Sequence, residues 1–203
     1  MKELSYSFDA EYIIKKKKSL KRQLLADVNR NFVEKRIAIL GGETTENIKL
    51  TLELFLLNYG IKPYFYESEY NQYYEDGMFP NQELEEFKPD IIYICTCVRN
   101  IIDFPVLSDQ KEVVEQKKQA VVDKFYGLWD SVAERYHCPI VQNNFEYPFF
   151  RLMGNKDASD YHGRVNFVTM LNCAFYEYAQ KHDNFYICDV NYISASYGLD
   201  KWS

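Results

Sequence analysis

Residues 36–45 of the chain read RIAILGGETT, an apolar run followed by two glycines, a glutamate and two threonines. The first five of these residues are Arg36 and then an aliphatic run that contains two β-branched isoleucines, a pattern that predicts a short buried strand. After the glycines, apolar residues recur at steps of three or four: Ile48, Leu52, Phe55 and Leu56. This period predicts a helix that begins at Thr44 or Thr45. A strand, a glycine turn and a helix form a βα unit, so Glu43 and the threonines either contribute to a ligand site or only cap the helix.

The same alternation of apolar runs and helical periods continues to the end of the chain. Further strands are predicted at about 61–66, 91–96, 139–142 and 184–189, with helices between them. Parallel strands joined by helical crossovers predict an α/β fold: a three-layer αβα sandwich whose five-stranded parallel sheet has the flavodoxin-like order 2-1-3-4-5. A helix within residues 1–30 is expected to pack on the domain formed by residues 31–203.

Composition and charge exclude several classes of function. The 203 residues carry a net charge of −6, which disfavours nucleic acid and anionic membranes as partners. The chain contains no apolar run long enough for a membrane span, and its first residues do not form a signal peptide. Five cysteines in core-like positions favour reduced thiols and a cytoplasmic location. The pair Cys95 and Cys97 is a weak zinc signal, and we expect no metal site in this chain.

Polar segments follow four of the predicted strands and should meet at one edge of the sheet. They are residues 43–45, 70–73, 96–100 and 143–146. Asparagine and arginine side chains at such an edge can hydrogen-bond a polar ligand and hold an anionic group. Each asparagine alone could equally be a turn former. From the strand order we expect one shared cavity, with Glu43 paired to Arg99, lined by Thr44, Tyr70, Asn71, Arg99 and Asn143.

Five segments in the same order resemble the N-terminal domain of FkbH-like proteins. They are residues 39–45 (ILGGETT), 70–73 (YNQY), 88–90 (KPD), 151–155 (RLMGN) and 198–202 (GLDKW). The resemblance covers essentially the whole chain, and the second and the last of these segments are its most specific parts. FkbH-like proteins belong to the HAD-IIIC family and occur in polyketide and surface-polysaccharide gene clusters.

The resemblance implies an N-terminal domain with an SGNH-hydrolase-like fold, followed by a HAD domain with magnesium. FkbH proteins of polyketide pathways move a glyceryl unit from a phosphorylated three-carbon acid to an acyl carrier protein. The Asp-x-Asp motif of the HAD domain is absent from these residues, so phosphatase activity and magnesium are not expected here. The implied partners are a downstream HAD domain, an acyl carrier protein or a small polar substrate.

The chain also departs from active SGNH hydrolases. Gly41-Gly42-Glu43 stands where those enzymes have Gly-Asp-Ser, only Arg99-Asn100 stands near the position of their oxyanion donors, and their Asp-x-x-His block is missing. Two hypotheses remain. In the first, the domain binds or presents a polar acyl, glyceryl or carrier-linked substrate without a complete triad. In the second, it is an autonomous esterase or acyltransferase with Thr44 as nucleophile and His162 as base. The candidate ligand-binding residues are Glu43, Thr44, Thr45, Tyr70, Asn71, Gln72, Tyr73, Arg99, Asn100, Asn143, Asn144, Arg151 and Asn155.

Overall fold

A computed structural model describes residues 1–202 of the chain as an α/β domain; Ser203, the last residue of the predicted domain, lies outside the described residues. Its strands are β1 (Val33–Gly41), β2 (Ile61–Glu67), β3 (Ile91–Cys95), β4 (Ile140–Asn143) and β5 (Phe185–Cys188). All neighbouring strands are parallel, in the order β2-β1-β3-β4-β5, as predicted. The carboxyl ends of β1, β2, β3 and β4 therefore lie side by side.

Eight helices connect and flank the strands in the described chain. They are α1 (Ala10–Ala26), α2 (Glu46–Asn58), α3 (Tyr73–Met78), α4 (Gln82–Phe87), α5 (Lys111–Tyr136), α6 (Arg164–Lys181), α7 (Val190–Tyr197) and α8 (Leu199–Trp202). Among the residues that the structure describes, no helix combines the length and apolar character that a membrane span requires.

Side chains of β1 alternate between the two faces of the sheet, and both faces are covered. Ala38 and Leu40 point into the larger core, which contains Phe125 and Trp129 of α5 and Phe175 of α6. On the opposite face, Ile37 and Ile39 pack beneath α2. Burial on both faces explains the continuous apolar run in β1, because strands of a parallel sheet covered by helices have no solvated side. The three-layer prediction is thus confirmed.

The N-terminal helix packs on the outside of α2. Ile13, Leu20 and Leu24 of α1 form a buried cluster with Leu54 and Leu57 of α2. Other apolar residues in or beside this helix, Phe8, Tyr12, Leu25 and Val28, are exposed. The helix begins at Ala10, after Asp9, whose carboxylate caps it by accepting a hydrogen bond from the Tyr12 N–H.

Most predicted strand and helix positions agree with the structure, with two differences along the chain. Strand β1 begins at Val33 rather than Arg36, since Val33–Lys35 pair with the first residues of β2. The polar aromatic loop predicted after β2 ends earlier than expected, because Tyr73 and Tyr74 already belong to helix α3. Gly60 has a φ of 78° just after α2, as expected for a residue that ends a helix in the left-handed region.

We predict that Leu40→Ala lowers the free energy of unfolding by about 2–5 kcal/mol, because the removed atoms leave a cavity in a core that cannot fully collapse. Leu40 is completely buried, whereas Leu107 is 62% exposed. Leu107→Ala is therefore the matched control and should change stability by less than about 0.5 kcal/mol. Urea denaturation followed by circular dichroism measures both. Equal effects of the two substitutions would contradict this placement of β1.

Candidate functional site

A polar cleft, cleft A, lies at the carboxyl edge where β1, β2 and β3 end. It encloses about 400 Å³, within the range of small-molecule sites. Three loops supply its walls: the β1–α2 loop, the β2–α3 loop and the turn after β3. The lining residues are Gly42, Glu43, Thr44, Tyr70, Asn71, Cys97, Arg99 and Asn100. This is the switch point between β1 and β3, where open α/β sheets bind ligands.

The side chain of Asn100 joins the three loops of cleft A. Its Nδ2 donates to the carbonyl of Gly42 at 2.9 Å and to Oδ1 of Asn71 at 3.1 Å. Its Oδ1 accepts a hydrogen bond from the N–H of Cys97 at 2.9 Å. An asparagine amide has two N–H donors, and here both are used within the protein. Asn100 therefore holds the cleft together and has no N–H left for an oxyanion.

Two backbone features allow this close approach. A Cβ atom added to Gly42 would lie 2.5 Å from Oδ1 of Asn100, so only glycine fits beneath the amide. Asn71 adopts a φ of 61°, in the left-handed region that asparagine tolerates better than most residues. The turn that carries Asn71 is thereby directed toward Asn100.

Among the described residues, the charged groups that line cleft A are Glu43 and Arg99, which form a loose pair. A guanidinium nitrogen of Arg99 lies 3.8 Å from a carboxylate oxygen of Glu43. The Arg99 side chain is 84% exposed, and such a pair contributes little to stability. Because even the closest approach of Glu43 is longer than a hydrogen bond and the Arg99 side chain is exposed, guanidinium donors are available to an anionic group.

A second and larger cavity, cleft B, adjoins cleft A and shares with it Glu43, Cys97 and Arg99. Its volume is about 770 Å³. Polar residues of the sheet edge form its floor, and apolar residues form its mouth. The apolar lining consists of Ile48, Val98, Tyr147, Pro148, Phe149, Phe150, Val190, Ile193, Leu199 and Trp202.

Glu146 is a buried carboxylate at the floor of cleft B. It is 8% exposed, and its oxygens accept the N–H of Val98 at 3.2 and 3.3 Å. Burial raises the pKa of Glu146, and the negative charge of Glu43 adds to this effect. Within the described chain no Lys, Arg or His nitrogen lies within 4.0 Å of this carboxylate. The sequence had placed Glu146 in a polar loop, and the structure shows in addition that this carboxylate is buried.

Asn143 lines cleft B rather than cleft A. Its Oδ1 accepts the hydroxyl of Tyr93 at 2.8 Å, and its Nδ2 donates to the carbonyl of Thr96 at 3.3 Å. The expectation that Asn143 faces the same cavity as Thr44 and Asn71 is therefore corrected. It was wrong because β4 lies one strand further from the switch point, with β3 between β4 and β1.

Thr45 and Tyr73 are buried and line neither cleft. The Thr45 hydroxyl donates to Oε1 of Glu67 at 2.5 Å, which ties the start of α2 to the end of β2. Tyr73 is 3% exposed and stacks on Phe125, because helix α3 turns its ring into the core. Burial raises the pKa of Tyr73 to about 12. Their predicted place in the cleft is corrected.

The other predicted ligand-binding residues lie outside both clefts. Gln72 is the residue before α3, and Arg151 and Asn155 are exposed beyond β4. Asn144 is fully buried, and its Nδ2 donates to Tyr176 and Asp189, each at 2.7 Å. Asn144 thus fixes the start of α7, since its Oδ1 also accepts the N–H of Asn191.

The two candidate catalytic residues do not form a pair. Thr44 is exposed and lines cleft A, whereas His162 lines neither cleft. Both ring nitrogens of His162 face oxygen acceptors, the carbonyl of Asp109 at 2.9 Å and the carboxylate of Asp160 at 2.8 Å. The Asp109 carbonyl and then Asp160 raise the pKa of His162. With both ring nitrogens engaged and the side chain outside both clefts, His162 is not placed to act as a base for Thr44.

Metal-ligating side chains are not clustered in the part of the chain that the structure describes: no group of three or more His, Cys, Asp or Glu residues could hold an ion there. Cys97, at the junction of the two clefts, is buried. Burial raises the pKa of its thiol, with Glu43 as the second cause. The Cys97 thiol is therefore protonated at neutral pH, which removes the usual source of a cysteine nucleophile.

Comparison with known proteins places these features in a family. The model of the FkbH N-terminal domain matches residues 36–202. Among solved structures, the chain is similar to the N-terminal part of the protein BF1531 from Bacteroides fragilis, which contains a phosphatase domain complexed with Mg. The TM-score is 0.74 at 22% identity, over 91% of this chain and 47% of that chain. This chain thus spans about half the length of the chain in that structure. No curated protein sequence matches it.

We predict that Gly42→Ala destabilises the protein through its contact with Asn100, by roughly 1–3 kcal/mol as for other overpacked sites. In an Asn100→Ala background the amide atoms that the new methyl group would meet are gone. The cost of Gly42→Ala should therefore be smaller there, which a double-mutant cycle of denaturation free energies measures. Additive effects of the two substitutions would show that Asn100 does not lie over Gly42.

A second prediction follows from the raised pKa of Glu146. The folded protein binds the proton of the Glu146 carboxyl group more tightly than the unfolded chain does. Proton binding at Glu146 therefore contributes to the free energy of unfolding at acidic pH. This contribution is lost as pH rises from the unfolded pKa, about 4.3, through the raised folded value. Glutamine does not ionise, so Glu146→Gln does not lose stability as pH rises in this range. The Tm of this variant minus that of the wild type should therefore increase from pH 4 to pH 8.

Glu134→Gln, which changes an exposed glutamate on α5, serves as the control for this measurement. Its Tm difference from the wild type should vary little over the same pH range. A Tm difference for Glu146→Gln that is constant or falls with rising pH would contradict the burial of this carboxylate.

Proposed function

Because the chain belongs to the FkbH N-terminal domain family, we propose that it is the substrate-binding module of an FkbH-like HAD-IIIC protein with an SGNH-like fold. In this role it binds or presents a polar acyl, glyceryl or carrier-linked substrate in surface-polysaccharide or secondary-metabolite biosynthesis. A downstream HAD domain then carries the Mg²⁺ and the phosphatase-type chemistry, and an acyl carrier protein is a second partner. The chain's own cleft supplies recognition, and the protein acts in the cytoplasm.

The observation that carries this proposal is the arrangement of donors in cleft A. Arg99 has guanidinium donors that Glu43 does not use. The Tyr70 hydroxyl and the Thr44 hydroxyl add neutral donors and acceptors in the same cleft. A ligand with hydroxyl groups and one anionic end matches this set, because a second anionic group would face the carboxylate of Glu43.

The same cleft gives little support to an autonomous esterase. The amide of Asn100 donates both of its N–H groups to Gly42 and Asn71, so an oxyanion would find no donor on this side chain. Thr44 has no base beside it, since His162 is engaged by Asp109 and Asp160. Turnover of p-nitrophenyl acetate that disappears in Thr44→Ala would establish the esterase instead.

Isothermal titration with glycerate, with glycerol as the neutral analogue, tests the binding proposal. Glycerate should bind, and Arg99→Gln should weaken this binding by about tenfold or more, which corresponds to ~1.4 kcal/mol. Arg22→Gln, a change at an exposed arginine of α1 outside both clefts, should leave it unchanged. The Tm of Arg99→Gln should equal that of the wild type, because the side chain is exposed.

The proposal fails if glycerate does not bind to the wild type, or if it binds equally well to Arg99→Gln. Glycerol separates charge recognition from hydroxyl recognition. Its binding should be weak in all three proteins and should not depend on Arg99.

A further inference from the structure

Cleft B combines three properties that the proposed function does not use. Its mouth is apolar and partly solvated: Phe149, Ile193 and Trp202 are between 41% and 47% exposed although they line a cavity. Its floor contains the buried carboxylate of Glu146. It also meets cleft A at Arg99. An apolar cavity of this volume with a few polar groups at its base is typical of a small-molecule site.

The carboxylate of Glu146 has unused capacity to accept hydrogen bonds. An ionised carboxylate offers about four lone-pair positions, and the donors that face it are two backbone N–H groups, those of Val98 and of Glu146 itself. A ligand that placed a purely apolar group here would leave those positions unsatisfied, which is unfavourable at a buried site. A hydroxyl group that donates to Glu146 would satisfy one of them.

Two arginines contribute positive charge to the lining of cleft B. Arg99 lies at the junction with cleft A, and Arg164 at the start of α6 lines cleft B, with its guanidinium 5.1 Å above the ring of Phe104. No carboxylate oxygen of the described side chains lies within 4.0 Å of Arg164. The two arginines can therefore offset the negative charge of a bound anionic group in addition to the charges of Glu43 and Glu146.

We propose that cleft B binds the chain of a medium-length hydroxyacyl ligand. The hydrocarbon chain lies along Phe149, Ile193 and Leu199, a hydroxyl group near the acyl end donates to Glu146, and the anionic end is held by Arg99. This inference rests on the proposed function, since Arg99 serves both clefts, and deepens it by specifying the class of acyl group. Burying the chain against the aromatic mouth supplies affinity that a three-carbon ligand lacks.

Calorimetric titration with three acids tests this inference: 3-hydroxydecanoate, decanoate and 3-hydroxybutyrate, each below its micellar concentration. The wild type should bind 3-hydroxydecanoate at least tenfold more tightly than 3-hydroxybutyrate, because only the longer acid has a chain for cleft B. It should also prefer 3-hydroxydecanoate to decanoate severalfold through the hydroxyl group. In Glu146→Gln that preference should shrink, since a neutral amide accepts the hydrogen bond less strongly than a carboxylate.

Phe149→Ala, with Phe79→Ala as its matched control, tests whether the hydrocarbon chain of the ligand lies in cleft B. Phe149 lines cleft B and is 46% exposed, whereas Phe79 lies outside both clefts and is 58% exposed. Phe149→Ala should weaken binding of 3-hydroxydecanoate severalfold, with no effect on glycerate, and Phe79→Ala should change neither. Because both rings are largely at the surface, both variants should fold.

Two results would overturn the inference: equal affinity for the long and the short hydroxy acid, or unchanged binding of 3-hydroxydecanoate to Phe149→Ala. Glycerate titrations of the same samples separate this failure from failure of the proposed function. If glycerate binds in an Arg99-dependent manner while chain length has no effect, only the chain site is wrong. If 3-hydroxydecanoate binds through Phe149 but glycerate binds nowhere, cleft B stands and the glyceryl site of cleft A fails.

Discussion

The amide of Asn100 is the interaction on which the functional edge depends. It connects the end of β1 through the Gly42 carbonyl, the loop after β2 through Asn71, and the turn after β3 through the Cys97 N–H. These three segments are distant in sequence, and parallel pairing of β1 with both β2 and β3 brings their ends together. Gly42 is the residue that permits the contact, because any side chain there would displace the amide. The amide therefore serves as a structural bridge, and both of its N–H groups are used within the protein.

The carboxyl edge of the sheet carries both arginine and glutamate side chains, so its attraction for anionic ligands is partly offset. The chain as a whole is acidic, with a net charge of −6, yet two arginines line the clefts. Glu43 partly offsets Arg99, and burial disfavours ionisation of Glu146. In the proposed role, both effects favour a ligand with one anionic group, because a ligand of higher charge would meet a carboxylate in either cleft. Hydroxyl groups, by contrast, find partners in both clefts, so the edge favours a hydroxylated acid.

The sequence predicted the sheet well because the signal for a buried parallel strand is local. The runs in residues 37–40 and 91–95 are continuous and apolar, and the topology then determined which loops are neighbours. Four of the residues assigned to one cavity, Thr44, Tyr70, Asn71 and Arg99, do line cleft A. The misplaced residues depended on information that the local sequence lacks. Tyr73 was misplaced because a six-residue helix was not anticipated, and the importance of Glu146 was missed because the local sequence does not show that its carboxylate is buried.

The most direct test of the account is a crystal structure of the protein grown with 3-hydroxydecanoate. The central claim is that clefts A and B together form one ligand site, and that the two clefts meet at the Glu43–Arg99 pair. We expect the carboxylate of the ligand within hydrogen-bond distance of Arg99, its hydroxyl on Glu146 and its chain among Phe149, Ile193 and Leu199, with the Asn100 bridge intact. Ordered ligand elsewhere on the molecule, or an Asn100 amide turned away from Gly42 with no cleft between β1 and β3, would contradict the account.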